Sequence, residues 1–375
     1  MGITRVANVT GLDTIGVPVV MVCRPNARSL AVSQGKGLTL DAAKASGLME
    51  SIELYHAETI TKPVKLASHH ELARIHPIAD VTALPRLSIS GFHEHLRVLW
   101  IEGFELLRGA PAWVPYEMVH TNYTLPLPPG SGSFVSSSNG LASGNHLLEA
   151  INHGISEVIE RDATTLFHLG GAAARRRSRV DLATVDDPGC RSVLEKYERA
   201  GVAVAVWETT SDVGVPSFFC SIADLSPDPF HLLYASSGMG CHPAREVALL
   251  RALTEAAQSR LTTIAGSRDD GGRAKYERTR DPEVLRAVRA EMAEPPTRSY
   301  RDAPTRQHET FDEDLRWMLG CLHVAGVQEV IVVDLTKADA FAVVRVVIPG
   351  LESVYDAPGY TPGPRGRRAL EDRSA

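Results

Sequence analysis

Glutamates dominate the residues that could do chemistry in this sequence, and they fall into three spaced groups. Ser46 stands with Glu50 and Glu53, Asn145 with Glu149, Glu157 and Glu160, and Arg251 with Glu255. At roughly 100° per residue each group lies on one side of a helical wheel. Residues 145–162 set Leu147, Leu148, Ile151, Ile155, Val158 and Ile159 on the opposite, apolar face. Residues 40–58 do the same with Ala45, Leu48, Met49 and Ile52, and residues 243–265 with Leu250, Leu253, Ala257 and Leu261. Carboxylates crowded on one face repel unless a positive group lies in front of them. Hard oxygen donors together with an arginine suit Mg2+ bridged to a triphosphate, although the chain has neither a Walker nor a kinase motif. Glu149 and Glu160 stand about 16 Å apart on an ideal helix. They would share one ion only if the helix broke, with Gly154 the candidate break; otherwise they serve different ions or different parts of a nucleotide. The competing reading is three ordinary surface helices with solvated acidic faces.

The elements that must position these groups can be read from pattern and punctuation. Residues 17–23 are an apolar strand bounded by Gly16 and by Arg24-Pro25-Asn26. Gly35-Lys36-Gly37 precedes the first helix and reads either as part of a phosphate seat or as a turn with a solvated lysine. Asp41 is the expected N-cap of that helix. Residues 97–107 read as a strand pair. His69, His70, His76, His93 and His95 share no helix face with acids, so exposed polar histidines are favoured over a metal cluster. Residues 121–144 are Pro-, Gly- and Ser-rich and form a long ordered loop or a linker; running into a helix N-terminus, such a loop can seat an anion. The Arg175, Arg176, Arg177 and Arg179 run reads as solvated surface. Residues 202–207, 217–223 and 230–234 read as strands of a central sheet, and 236–240 as a turn into the third helix. Residues 266–312 are densely charged and read as a surface excursion or a lid. A helix over 315–324 and buried strands over 329–335 and 342–347 follow.

With 375 residues and 44% hydrophobic content the chain can bury a substantial core, in one domain with subdomains near 1–65, 66–120, 121–265 and 313–360. A net charge of -6 disfavours generic nucleic-acid binding. Five scattered cysteines without metal-ligand spacing predict reduced thiols and a cytoplasmic location. No apolar run reaches the ~18 residues of a membrane span. The pattern is already under way at Gly2-Ile3-Thr4, which suggests a longer N-terminus upstream.

At these residues the chain resembles the YcaO family. The matching motifs are Ser46-xxx-Glu50-xx-Glu53, Asn145-xxx-Glu149-x7-Glu157-xx-Glu160 and Arg251-xxx-Glu255, flanked by Gly35-Lys36-Gly37, by Asn139-Gly140-Leu141-Ala142-Ser143-Gly144 and by Glu160-Arg161-Asp162. The resemblance implies an α+β ATP-binding fold with mixed or antiparallel sheets and packed helices carrying an acidic cleft. It implies ATP and Mg2+ as cofactors, with Lys36, Ser46, Glu50, Asn145, Glu149, Arg161 and Arg251 on the nucleotide. Glu53, Glu157, Glu160 and Glu255 would hold the metal, and Arg251 and Glu255 would act in catalysis. Members activate a peptide backbone amide: a nucleophile adds to its carbon, ATP phosphorylates the oxygen, and phosphate leaves. Azoline-forming members commonly end in Pro-x-Pro-x-Pro, whereas this chain has Pro362-Gly363-Pro364 followed by a basic tail. Its opening, from Gly2 to Asp13, and its Pro349-Gly350-Leu351-Glu352 segment resemble members that work beside a TfuA protein and form thioamides. The expected partners are a peptide or protein substrate, a TfuA-like protein, sulfide or another sulfur donor, and a second copy in a homodimer. The alternatives are an azoline- or amidine-forming enzyme and a non-catalytic peptide-binding scaffold.

Overall fold

The computed structural model describes residues 1–224, 235–270, 273, 277, 281–337 and 341–374. In chain order its elements are β1 (Arg5–Asn8), β2 (Val19–Cys23), β3 (Val32–Lys36), α1 (Leu40–Glu58), β4 (Val64–Ser68), α2 (His69–Leu72), β5 (Arg97–Glu105), β6 (Ala110–Pro115), β7 (Leu141–Gly144), α3 (Leu147–Leu169), α4 (Gly171–Arg177), β8 (Val180–Asp181), α5 (Pro188–Arg199), β9 (Val202–Glu208), β10 (Ser217–Asp224), β11 (Ser236–Cys241), α6 (Arg245–Ala265), α7 (Pro282–Met292), β12 (Arg298–Ser299), α8 (Phe311–Val324), β13 (Ile331–Asp334), β14 (Ala342–Val347) and α9 (Pro364–Ser374). The fold is α+β, and among the described residues the strands pair antiparallel except β8 with β12. Two compact units divide the chain. Unit 1 holds Met1–Ser51, Gly171–Thr210 and Val215–Arg306; unit 2 holds Ile52–Gly170, Ser211–Gly214 and Gln307–Ala375.

Unit 1 contains two three-stranded sheets, ordered β1-β2-β3 and β11-β10-β9. Helix α6 packs on β11 over a core that includes Tyr197, Val206, Phe218, Ile222, Leu249, Leu253 and Tyr300. A smaller cluster joins Val9, Val19 and Met21 to Leu261 of α6. Arg260 is 2% exposed and pairs with Asp13 at 2.9 Å and Asp224 at 3.6 Å. Removing the guanidinium would leave the buried Asp13 carboxylate without its counterion, a loss of several kcal/mol (~3–5).

Unit 2 is built on a sheet ordered β4-β5-β13-β14-β7, with β6 also paired to β5. Helix α3 lies on β7 and β14 because glycine removes the side chains that would hold them apart. A Cβ on Gly154 would meet Val346 Cγ2 at 2.6 Å, and one on Gly140 would meet the Val346 carbonyl at 2.3 Å. Trp100, Trp113 and Phe134 fill the core of this unit.

Several expectations are corrected. Helix α3 begins at Leu147, capped by His146 Nδ1 accepting from the Leu148 N–H, and runs unbroken to Leu169. Gly154 is therefore a packing glycine and not a break. Thr39 caps α1, its Oγ1 accepting from the Ala42 N–H at 3.2 Å, while Asp41 sits inside the first turn. Residues 97–107 hold one strand, β5, with β4, β6 and β13 as neighbours. Residues 236–240 are strand β11 rather than a turn. The strand expected over 230–234 lies outside the described residues. Arg179 is not a solvated residue: it is 7% exposed, donates to the Val206 and Met292 carbonyls and stacks over Trp207. Arg175 and Arg176 face Glu291 and Glu294. Within 266–312, Leu285, Met292, Tyr300 and Ala303 are buried in unit 1.

Candidate functional site

One local device recurs three times and places the first glutamate of each motif. In unit 1, β3 lies flush on α1: a Cβ on Gly35 would sit 2.0 Å from the Ala43 carbonyl oxygen and 2.1 Å from the Gly47 nitrogen. That closeness lets α1 satisfy the outward N–H groups of an edge strand. Gln34 N–H donates to Glu50 Oε2 at 3.1 Å, and Lys36 N–H to Ser46 Oγ at 3.4 Å. Strand β11 repeats this against α6. Cβ atoms on Gly238 and Gly240 would meet the Ala252 and Ala248 carbonyls at 2.3 and 2.0 Å, and Met239 N–H donates to Glu255 Oε1 at 3.2 Å. In unit 2, β7 runs into α3 past Gly144, where a Cβ would lie 2.9 Å from the Ala150 nitrogen. There Asn145 N–H donates to Glu149 Oε2 at 2.8 Å. Glu50, Glu149 and Glu255 each follow Ser46, Asn145 or Arg251 by four residues, and each accepts from a glycine-bearing strand or its end.

Unit 1 adds cations. Lys36 Nζ meets Glu255 Oε2 at 2.7 Å, with both side chains under one-fifth exposed. Lys36 is thus the end of a strand and an ion-pair partner, not a solvated turn residue. Burial pushes the Glu50 carboxyl above its ordinary range. The Gln34 N–H, Lys36 and Arg268 pull it back down, while Glu255 adds to the rise. Lys36, Arg268 and Glu255 are therefore all within electrostatic reach of Glu50. Arg251 Nε is buried with no hydrogen-bond partner among the described residues.

Unit 2 carries the remaining acids. Glu53 Oε1 accepts from Ser143 Oγ at 2.6 Å. Glu157 and Glu160 flank Arg161, whose Nη2 lies 3.9 and 3.6 Å from them. Glu160 is 1% exposed, which removes the solvated-face reading for that end of the helix. Asp162, fully buried, is held by Arg365 through two 2.9 Å hydrogen bonds, and the backbone N–H of Glu352 donates to it as well. Burial raises the Asp162 carboxyl, and Arg365 works against that rise.

Sequence reasoning missed Gln34, Met239 and Arg268, because backbone donors and a distant arginine leave no motif. It also missed Arg345, which is 1% exposed on β14 and lies in the field of Glu157. Among the described residues no three His, Cys, Asp or Glu side chains are grouped closely enough to hold an ion by themselves, the five histidines of 69–95 included. An ion on these glutamates would take part of its shell from water and phosphate, the usual habit of Mg2+. Within each unit the donors suit Mg2+ and phosphate: in unit 1 the carboxylates of Glu50 and Glu255 with Lys36 and Arg251, whose Nε is still to be matched, and in unit 2 the carboxylates of Glu53, Glu149, Glu157 and Glu160 with Arg161. No helix among the described residues is long and apolar enough to cross a membrane.

Comparison with known proteins follows the same lines. Residues 34–352 match the profile described as "YcaO cyclodehydratase, ATP- and Mg2+-binding". An uncharacterized protein in the tfuA 3′ region of Rhizobium leguminosarum bv. trifolii is 35% identical over 358 residues, 94% of this chain and 84% of that one. An uncharacterized protein of Methanothermobacter thermautotrophicus is 37% identical over 365 residues, 94% of this chain and 90% of that one. Among solved structures, YcaO from Methanopyrus kandleri bound with AMPPCP and Mg2+ superposes with a TM-score of 0.74 at 22% identity, covering 97% of this chain and 90% of that one. A heterocyclase in complex with substrate and cofactor gives 0.75 at 24% identity and 97% coverage, and the chain spans 51% of its length. At these identities the structures speak for the fold.

Proposed function

The chain belongs to the YcaO family, whose members bind ATP and Mg2+, and from that premise we propose that it activates a peptide backbone amide by ATP-dependent O-phosphorylation and exchanges the oxygen for sulfur, giving a thioamide in a ribosomally made peptide or protein. The observation that carries the sulfur step is the 35% identity, across 94% of the chain, to a protein encoded in a tfuA 3′ region. A TfuA-like partner that helps deliver sulfide, a homodimeric assembly and a cytoplasmic location belong to the same proposal.

Resonance makes the amide a poor electrophile, and phosphorylating its oxygen creates a good leaving group. ATP with Mg2+ supplies that phosphoryl group. The protein must then hold reactants in line and offset charge rather than move protons. Its residues are suited to this. Glu50, Glu149 and Glu255 are oriented by backbone N–H groups; Glu50 and Glu149, with Lys36, Ser46, Asn145, Arg161 and Arg251, serve the nucleotide. Glu53, Glu157, Glu160 and Glu255 offer oxygen ligands to metal. Arg251 neutralises charge on the transferring phosphoryl group.

The profile's own description favours a second reading, cyclodehydration, in which a neighbouring side chain is the nucleophile. Product mass separates the two. The protein with Mg2+, ATP, sulfide, a TfuA-like partner and a candidate peptide should add about 16 Da to the peptide, against a loss of about 18 Da for azoline or amidine formation. A mass loss, or ATP hydrolysis without any change in peptide mass, refutes thioamide formation. Absence of Mg-ATP affinity would favour a peptide-binding scaffold instead.

A further inference from the structure

Unit 2 contains a cavity lined by none of the residues assigned above to nucleotide or metal. Its volume is about 30 Å3, and Ser137, Asn139, Val158, Arg345, Val346 and Glu352 are among its lining residues. At the ~10–15 Å3 needed per water-sized atom, it takes two such atoms and excludes a nucleotide base. Arg345 is 1% exposed. Its Nη2 donates to the Ser137 carbonyl at 2.7 Å, while Nε and Nη1 are buried with no hydrogen-bond partner among the described residues. Leaving buried donors unmatched costs roughly 1–3 kcal/mol each. Asn139 Oδ1 is likewise unpartnered on the cavity wall, and a half-turn of that amide presents its NH2 there instead.

The surroundings define the charge. His120 lies in the field of Arg345, and burial together with that charge pushes its pKa down to about 4. It is therefore neutral near pH 7. Its Nδ1 accepts from the Asn122 N–H at 3.1 Å, which leaves the proton on Nε2, another buried donor without a partner. The carboxylate of Glu352 is committed to the Tyr360 hydroxyl and to the Gly363 and Gly366 N–H groups at 2.6, 2.9 and 2.6 Å. Glu157 is the acid within reach of Arg345; alone it opposes a second anion, and as a magnesium ligand it does not. Apart from Ser353 the rest of the wall is apolar, from Leu84, Met118, Val135, Val347 and their neighbours. Such a site selects a large, weakly hydrated monoanion, because desolvation costs less for a diffuse charge.

We propose that the cavity at Arg345 seats a small monoanion, and that in turnover the anion is hydrosulfide; the second half rests on the thioamide reading. The step balances without a redox partner. The sulfur pair forms the C–S bond, the carbonyl pair moves to oxygen, oxygen takes the γ-phosphoryl group from ATP with release of ADP, and the C–O bond breaks as phosphate leaves with the proton lost from sulfur.

Bromide is the probe, for the full chain with Mg2+ and AMPPCP. Bromide NMR linewidth should broaden with the wild-type protein, and sulfide should reverse the broadening. Folded Arg345→Met should abolish it, and Arg345→Lys, which keeps the charge, should retain part of it. In turnover, bromide should compete with sulfide and leave the KM for ATP unchanged. Arg345→Met should raise the KM for sulfide about tenfold or more, with the KM for ATP within about twofold. An unchanged KM for sulfide in either folded variant, or a KM for ATP rising in parallel, overturns the proposal. Bromide bound at Arg345 but not displaced by sulfide makes the cavity a halide seat and overturns the hydrosulfide assignment. If peptide assays give an azoline, the thioamide reading fails, and the NMR arm still decides whether the anion seat exists.

Discussion

Replacing Glu255 by glutamine separates a structural from a chemical role for the third motif. The substitution keeps an oxygen for the Met239 N–H, now at 3.2 Å, and removes the charge that Lys36 meets at 2.7 Å. Lys36 is 19% exposed, so water can reach the ammonium once the partner is neutral. The stability loss is then that of a partly screened ion pair, about 1 kcal/mol, or a fall in Tm of roughly 2–4 °C. If Glu255 faces magnesium and the transferring phosphate, removing its charge costs about 10²–10³ in kcat/KM for ATP, or ~3–4 kcal/mol of transition-state stabilisation. The two magnitudes differ enough to be read apart. Thermal unfolding would be measured beside ATP turnover with saturating Mg2+, and Lys36→Met with the double variant would complete a cycle that isolates the pair. A folded Glu255→Gln protein with ATP turnover within about threefold of wild type refutes the argument, as does an activity loss no larger than the stability loss.

Other expectations follow from the same geometry. Gly240→Ala should cost about 3 kcal/mol or more and lower Tm or soluble yield, because its Cβ would lie 2.0 Å from the Ala248 carbonyl; Gly320→Ala on α8, with nothing within 4 Å, should be neutral or stabilising by about 0.5–1 kcal/mol. Arg365→Met leaves the buried Asp162 without its counterion and should cost about 3–5 kcal/mol by denaturant unfolding, with much of the loss recovered when Asp162→Asn is added. For Glu50 the folded pKa is raised by burial. Its contribution is fully present below the unfolded value and lost as pH rises through the folded one. Glu50→Gln should therefore gain on wild type in Tm at pH 7–8 and lose that advantage as pH falls into the acid range, and an advantage that grows toward acid would contradict the raised pKa.

The sequence by itself determined much of this protein. Apolar periodicity gave α1 its limits and α6 to within two residues, since a helix must bury one stripe. It gave β14 residue for residue, because a run such as 342–347 has few other places to go. The spacing of Ser46, Asn145 and Arg251 from the glutamates one turn later was enough to identify the family and, through it, ATP and Mg2+. Other features depended on the fold. Strand β11 read as a turn because Ser-Ser-Gly-Met-Gly has no strand propensity; its glycines are there to bring β11 against the α6 backbone, a requirement set by a helix that comes later in the chain. Gly154 looked like a helix break for the same reason, and only its contact with Val346 shows it to be packing. Arg345 was invisible as a site residue in an aliphatic strand. The donors that orient Glu50, Glu149 and Glu255 are main-chain N–H groups, the same in every residue but proline, so their role could be assigned only once tertiary packing had set them opposite a carboxylate.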